Sequence, residues 1–169
     1  MPKISTPQDL LTEQLKDLYS AENQLVKALP KMAKSAESDE LREAFETHLE
    51  QTETHVERLD KIAKQLGESL KGKKCKAMEG LVEEGKEVMA EDAAPALMDL
   101  ALIGAAQKIE HYEIAGYGTA RTLAEISGEE EIAKTLQQTL DEEGDTDKRL
   151  TEIAMELNLE AVSAGGEED

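Results

Sequence analysis

Apolar residues recur at helical spacing over most of the chain. Thr6 and Pro7 mark a first start, as N-cap and first helical position, and Leu11, Leu15, Leu18, Glu22, Leu25 and Leu29 follow on one face. Pro30 is expected to kink this helix without ending it, because KMAKSA continues as good helix former. Ser38 caps a second helix whose inner face reads Leu41, Phe45, His48, Thr52, His55, Leu59, Ile62 and Leu66, and Gly67 stops it. A polar loop with two glycines over 68–74 leads into a shorter helix, roughly 75–90. The third long helix is expected to take Asp92 as cap and Pro95 in its first turn. Its inner face is Leu100, Ile103, Gln107, Glu110, Ile114 and Tyr117. After a turn at Ser127 and Gly128, Ser127 and Glu130 predict a capping box for a fourth long helix, with Leu136, Leu140, Glu143, Asp147, Leu150 and Ala154 facing inward.

Two antiparallel hairpins with tight turns, joined by a long excursion, let the second and third long helices run parallel. That is the connectivity of a ferritin-like bundle rather than of an up-down-up-down one. The expected fold is therefore all-α, a ferritin-like four-helix bundle with a short extra helix in its long crossover. One domain spans residues 1–169, with a frayed tail from about residue 160.

Three carboxylates interrupt otherwise apolar stripes: Glu22, Glu110 and Glu143, with Asp147 one turn beyond Glu143. An ionised carboxylate buried without a partner costs several kcal/mol even after relaxation. The stripes on the first, third and fourth long helices hold no Lys or Arg, so a bound cation is the natural source of positive charge. Oxygen-rich ligation with some imidazole suits iron or manganese.

Depth along the bundle checks this grouping, because residues equidistant from a hairpin turn lie at one level. Glu110 and Glu143 both stand about 16 or 17 residues from a turn near 126 or 127, so they should face each other. About the turn near 37 or 38, Glu22 reflects onto the level of Thr52, Glu53 and His55. His55 is the best inward imidazole there, with Glu53 and His48 as the alternatives on the second helix. Glu113 follows Glu110 by three and adds a second carboxylate on nearly the same face. Di-iron bundles take a Glu from each of two helices and Glu-x-x-His from the other two. Here the second helix reads Thr52-x-x-His55 and the fourth long helix Glu143-x-x-Thr146, a departure from that pattern. The remaining polar residues have plainer readings. His111 is solvated, Tyr112 and Tyr117 pack with a polar handle, Cys75 is inert, and the methionines fill the core.

Composition narrows the partners. Trp is absent, Phe occurs once and Tyr three times, too few for a β-sandwich or barrel. A net charge of -19 repels phosphate backbones and anionic headgroups, which argues against nucleic acid and membrane surfaces as partners. The start MPKISTPQDL lacks the basic and apolar run of a signal peptide, and no stretch approaches the roughly 18–20 apolar residues that span a bilayer. A cytoplasmic protein is expected. Cys75, the single cysteine, cannot form an internal disulfide, in keeping with a reducing compartment.

The runs LKDLYSAENQLVKALPKMA, HLEQT and KKCKAMEGLVEE, and above all AAQKIEHYEIAGYGTARTLAE, resemble the YciE/YciF-type stress proteins of the ferritin-like superfamily, from about Leu10 to about Ala154. The resemblance implies a stress-induced homodimer. It also implies a metal site similar to that of rubrerythrins, in which one helix contributes two glutamates three apart. Glu110 and Glu113 then match that pair, Glu143 the ligand of the last long helix, Glu22 that of the first, and His55 alone the second. The expected cofactor is iron or manganese, as two ions held by Glu22, His55, Glu110, Glu113, Glu143 and Asp147. One functional expectation is a non-haem oxidoreductase acting on peroxide or dioxygen, supplied by a separate electron donor because no rubredoxin-like cysteine quartet is present. The alternative is a non-enzymatic metal-binding stress protein that works through protein contacts. A cage-forming iron store is a weaker third option, since nothing in the sequence identifies assembly surfaces.

Overall fold

The computed structural model describes residues 4–157, so the tail expected to fray lies outside the described residues. Five helices follow in order: α1 (Pro7–Ser35), α2 (Asp39–Leu66), α3 (Lys76–Met89), α4 (Pro95–Ile126) and α5 (Glu130–Glu156). Among the described residues there is no strand. Helices α1 with α2 and α4 with α5 form antiparallel hairpins, and α3 lies in the crossover that brings α4 alongside α1 and parallel to α2. This is the ferritin-like connectivity. None of these helices is long and apolar enough to cross a membrane.

Local chemistry explains most of the boundaries. Thr6 accepts from Asp9 N while the Asp9 carboxylate accepts from Thr6 N, a reciprocal cap, and Pro7 presets the first turn. The helix carries Pro30 and continues to Ser35. Ser38 Oγ caps α2, and Gly67 ends it with φ of 67°, a left-handed conformation that glycine adopts without strain. Cys75 Sγ caps α3 by accepting from Met78 N.

Two expected caps are not formed. Helix α4 starts at Pro95 with Ala94 before it and no side-chain cap, because Pro95 already fixes the first turn and leaves Asp92 outside it. Ser127 does not cap α5. It is the C-cap of α4, its N–H bonding Leu123 O, and Gly128 then reverses the chain at φ of 77° so that α5 begins only at Glu130. The Ser127 hydroxyl is left buried without a partner. The cap at the opposite end of the bundle comes from a residue distant in sequence. Buried Asp99 accepts from Glu37 N at 2.8 Å and Ser38 N at 2.9 Å, tying α4 to the α1–α2 turn.

The core falls into two apolar layers. One surrounds Leu25, Leu29, Met32, Leu41, Phe45, Leu102 and Leu150 and is covered by Met78 of α3. The other joins Leu11, Leu15, Leu18, Leu59, Ile62, Tyr117 and Leu136 at the far end. Each of these large side chains contributes roughly 1.5–3 kcal/mol when fully buried. The expected inward positions Leu66, Leu100, Gln107, Ile114, Leu140 and Ala154 are half-buried instead. On α4 the buried surface is broader than one stripe, because α1, α3 and α5 all pack on it. Between the two layers lies a belt of polar side chains.

Replacing Asp99 with Ala should destabilise the fold by about 2–3 kcal/mol through two orphaned N–H groups. Ser38→Ala should cost about 1 kcal/mol, and Ser127→Ala, which removes an unpartnered hydroxyl, no more than about 0.5 kcal/mol. Urea unfolding of the three variants gives the ranking, and equal losses at Ser38 and Ser127 would contradict the cap assignments.

Candidate metal centre

Six fully buried side chains form the belt: Glu22 from α1, His48 and His55 from α2, Glu110 and Glu113 from α4, and Glu143 from α5. Their donor atoms converge in two groups, His48 with Glu110, Glu113 and Glu143, and Glu22 with His55 and Glu143, each within 4.8 Å of one another. Glu143 belongs to both. His48 Nε2 lies 3.0 Å from Glu110 Oε1 and 3.9 Å from Glu143 Oε2, while His55 Nδ1 lies 3.0 Å from Glu143 Oε1 and 3.3 Å from Glu22 Oε1.

These approaches are short but not aligned as hydrogen bonds. His48 Nε2, His55 Nδ1, Glu22 Oε2, Glu110 Oε2 and both oxygens of Glu113 and of Glu143 are buried without a hydrogen-bond partner. Among the described residues only Arg121 Nε and Ser127 Oγ share that condition elsewhere. Buried polar atoms are nearly always paired, so a cluster of orphaned lone pairs pointing to shared positions fits a cation that all of them can ligate. Carboxylate oxygen with imidazole nitrogen is a donor set for iron or manganese.

The outward sides of His55, His48 and Glu22 are already held. His55 Nε2 donates to Glu142 Oε2 at 2.8 Å, and Arg58 grips the same carboxylate at 2.6 and 2.9 Å. His48 Nδ1 lies 3.4 Å from both Gln51 Oε1 and Thr146 Oγ1. The Tyr117 hydroxyl donates to Glu22 Oε1, and its ring meets the His55 ring edge-on at 6.2 Å. Such partners fix the tautomer and orientation of metal-binding histidines, leaving the inward nitrogen free.

Electrostatics describe the same strain. Burial pushes the Glu110 and Glu143 carboxyls up to about 8, and Glu113 well above its ordinary value, where Glu22, Glu143 and Glu110 add repulsion. Burial alone would lower His55, but Glu143 and Glu22 outweigh it and raise the imidazole to about 10. Outside the belt Arg58, and then His55, hold Glu142 down at about 2.

The belt brings together five of the residues expected from the sequence, Glu22, His55, Glu110, Glu113 and Glu143. Asp147 is in neither group. It accepts from Gln107 Nε2 at 3.1 Å and lies 3.3 Å from His111 Nε2, half-buried on the flank between α4 and α5. Of the alternatives on α2, Glu53 is exposed and His48 enters the belt. Sequence reasoning missed Glu142 and Arg58, and left His48 open between core and ligand. The usable signal for His48 was its spacing of seven from His55, two turns along one face.

An all-helical bundle enclosing carboxylates and imidazoles from all four long helices defines this chain as a ferritin-like carboxylate bundle. More particularly, it belongs to the family described as "Domain of unknown function (DUF892)", which matches residues 6–163. It is 46% identical over 153 residues to Protein YciF of Escherichia coli (strain K12), spanning 90% of this chain and 92% of that protein. The crystal structure of the E. coli stress protein YciF superposes with a TM-score of 0.87, covering 90% of this chain and 96% of that one. YcfI of Rhodopseudomonas palustris is similar at TM-score 0.85 and 41% identity, over 88% and 95% of the two chains. A Xanthomonas campestris protein, 22% identical, shares the fold at TM-score 0.73 over 95% of each chain.

The shifts set a pH dependence for the metal-free protein. Between the ordinary glutamate value of 4.5 and about 8, the unfolded chain has released protons that folded Glu110 and Glu143 still hold, so stability falls as pH rises through that window. His55 acts in the same direction between 6.5 and about 10. The contribution of Glu142 runs the other way, present above 4.5 and lost as pH falls through about 2. Chelated protein should therefore melt lower at about pH 8 than at about pH 5.5, and a divalent metal should raise the melting temperature more at the higher pH. Calorimetry of stripped and reloaded protein at both values tests this. An equal metal-induced shift would mean that the ion does not replace the belt's protons.

Proposed function

We propose that this chain is a stress-associated dinuclear metal protein, holding two iron or manganese ions, that acts as an oxidoreductase on peroxide or dioxygen. The single observation that carries the reading is the set of unpartnered lone pairs around Glu143, the carboxylate common to both donor groups. Four carboxylates and two neutral imidazoles balance two divalent ions, whereas one ion would leave two buried negative charges. The association with stress follows from the likeness to the E. coli stress protein.

Bound ions of this kind supply Lewis acidity and one-electron redox change to an oxygen substrate. The chain's own residues do the rest. Glu143 belongs to both donor groups, so His48, Glu110 and Glu113 would hold one ion with it, and Glu22 and His55 the other. Tyr117 keeps Glu22 Oε1 occupied, so Oε2 is the free donor. The Glu142–Arg58 pair keeps the proton of His55 on Nε2. The Glu113 carboxyl, with no partner for either oxygen, holds a proton in the metal-free protein and releases it when a cation arrives.

Metal analysis with peroxide assays tests this. Wild-type protein should carry about two ions per chain, Glu110→Gln and Glu143→Gln should lose most of them, and Glu130→Gln, at an exposed position on α5, should lose none. Equal small losses in all three would make the metal a counterion to the net charge of -19. Retained metal without peroxide-dependent turnover would favour the non-enzymatic alternative, in which the ions stabilise a protein that works through contacts.

We further propose a cytoplasmic two-fold dimer served by a separate electron donor. The support is the strongly acidic chain, its one buried thiol, and the prevalence of cyclic symmetry among soluble oligomers. Sedimentation at micromolar concentration should give twice the chain mass of 18.5 kDa, and a single-chain mass would refute the dimer.

A further inference from the structure

A cavity of about 320 Å³ opens between α2 and α5 and ends on the belt. Its deep walls are apolar: Leu25, Leu29, Phe45, Ile109 and Leu150. Its polar end carries His48 and Glu110, the two side chains of the first donor group that line it. Its rim is formed by Glu40, Glu43, Asp145 and Arg149, and Arg149 pairs with Glu40.

Hydrogen peroxide or dioxygen needs little of this space, since a water-sized molecule occupies only about 10–15 Å³ on the same measure. The volume instead reaches the lower end of the roughly 300–1,000 Å³ of small-molecule sites, which are apolar with a few polar groups fixing orientation. Charge narrows the occupant further. Arg149 is engaged by Glu40 and Asp145 by Lys148, which leaves Glu43 as the rim carboxylate without an ion pair among the described residues and makes the mouth net negative. An anionic ligand such as a fatty acid would be repelled at this mouth and by the chain's net charge of -19.

We infer that the cavity between α2 and α5 is the binding site for a neutral organic hydroperoxide, its apolar body on Leu29, Phe45 and Leu150 and its oxygen end toward His48 and Glu110. The inference rests on the peroxide-linked reading above and names its substrate class. Reduction of such a molecule breaks the O–O bond and gives the alcohol and water. It takes two electrons and two protons, which a dithiol supplies on closing to its disulfide.

The test uses the full chain, stripped of metal and iron-loaded. Equilibrium binding of 2-phenyl-2-propanol, the alcohol of cumene hydroperoxide, is measured on stripped protein by calorimetry or ligand-observed NMR, with decanoate as the anionic comparison. The alcohol should bind saturably at one site and decanoate should not. Ala44→Phe, which fills the cavity from a half-buried lining position, should weaken binding at least tenfold. Thr47→Trp, at an exposed lining position, should do the same without touching the core and stands in if the first variant misfolds. On iron-loaded protein with dithiothreitol, both variants should lose at least tenfold in kcat/KM for cumene hydroperoxide while hydrogen peroxide turnover changes less than twofold. Absent alcohol binding, binding untouched by both variants, or equally tight decanoate would overturn the inference and leave metal content and hydrogen peroxide turnover standing. Alcohol binding without turnover of either peroxide would overturn the oxidoreductase reading and the hydroperoxide assignment together.

Discussion

Repulsion among carboxylates held between two apolar layers is the constraint on which this bundle depends. Glu22, Glu110, Glu113 and Glu143 are all fully buried, and Glu143 stands within reach of both histidines. In water such groups would separate or hydrate. Here the layers around Leu29 and Phe45 on one side and Leu15 and Leu59 on the other close the belt from both ends. Without metal, protons must neutralise it, which is why burial raises Glu110, Glu113 and Glu143 together. The apolar layers thus supply the stability that an electrostatically unfavourable centre consumes.

The hydrogen bonds around the belt decide which atoms remain free inside it. Glu142 and Arg58 engage one nitrogen of His55, Gln51 and Thr146 approach one nitrogen of His48, and Tyr117 engages one oxygen of Glu22. Each contact joins different helices or fixes a ring from outside, so the inward donors are pre-positioned by the fold. The seam between α2 and α5 carries most of this support: His55 meets Glu142, Arg58 meets Thr139 and Glu142, and Glu40 meets Arg149. It is also where the cavity opens, so access and ligand orientation share one interface.

Much of this was legible in the sequence because depth in a hairpin is set by counting from its turn. Reflection paired Glu110 with Glu143 and Glu22 with His55, and those pairs do meet. Asp147 stands apart from both groups for a geometric reason: four residues advance the helix about 40° beyond a full turn, which places it on the flank occupied by Gln107 and His111. Glu142 and Arg58 were invisible because charged side chains on half-exposed faces are the default on any helix, and only pairing across α2 and α5 distinguishes them. Asp92 and Ser127 obeyed local cap preferences but lost to the start imposed by Pro95 and the reversal at Gly128. Asp99, which caps across the fold, carries no local signal at all.

The departure from the Glu-x-x-His pattern on α2 is a redistribution rather than a loss. A di-iron bundle of that pattern assembles four glutamates and two histidines, one carboxylate from every helix. Here α2 gives two histidines flanking Thr52 and no carboxylate, while α4 gives both Glu110 and Glu113, so the inventory is again four and two. Thr52 explains why the exchange fits. Its hydroxyl is satisfied by its own helix, donating to His48 O at 2.8 Å, and it adds no charge at the level a glutamate would occupy. The second carboxylate of α4 then restores the negative charge from across the bundle. Charge balance at the centre therefore depends on the total rather than on which helix supplies each ligand, and a motif search along α2 alone sees only half of the exchange.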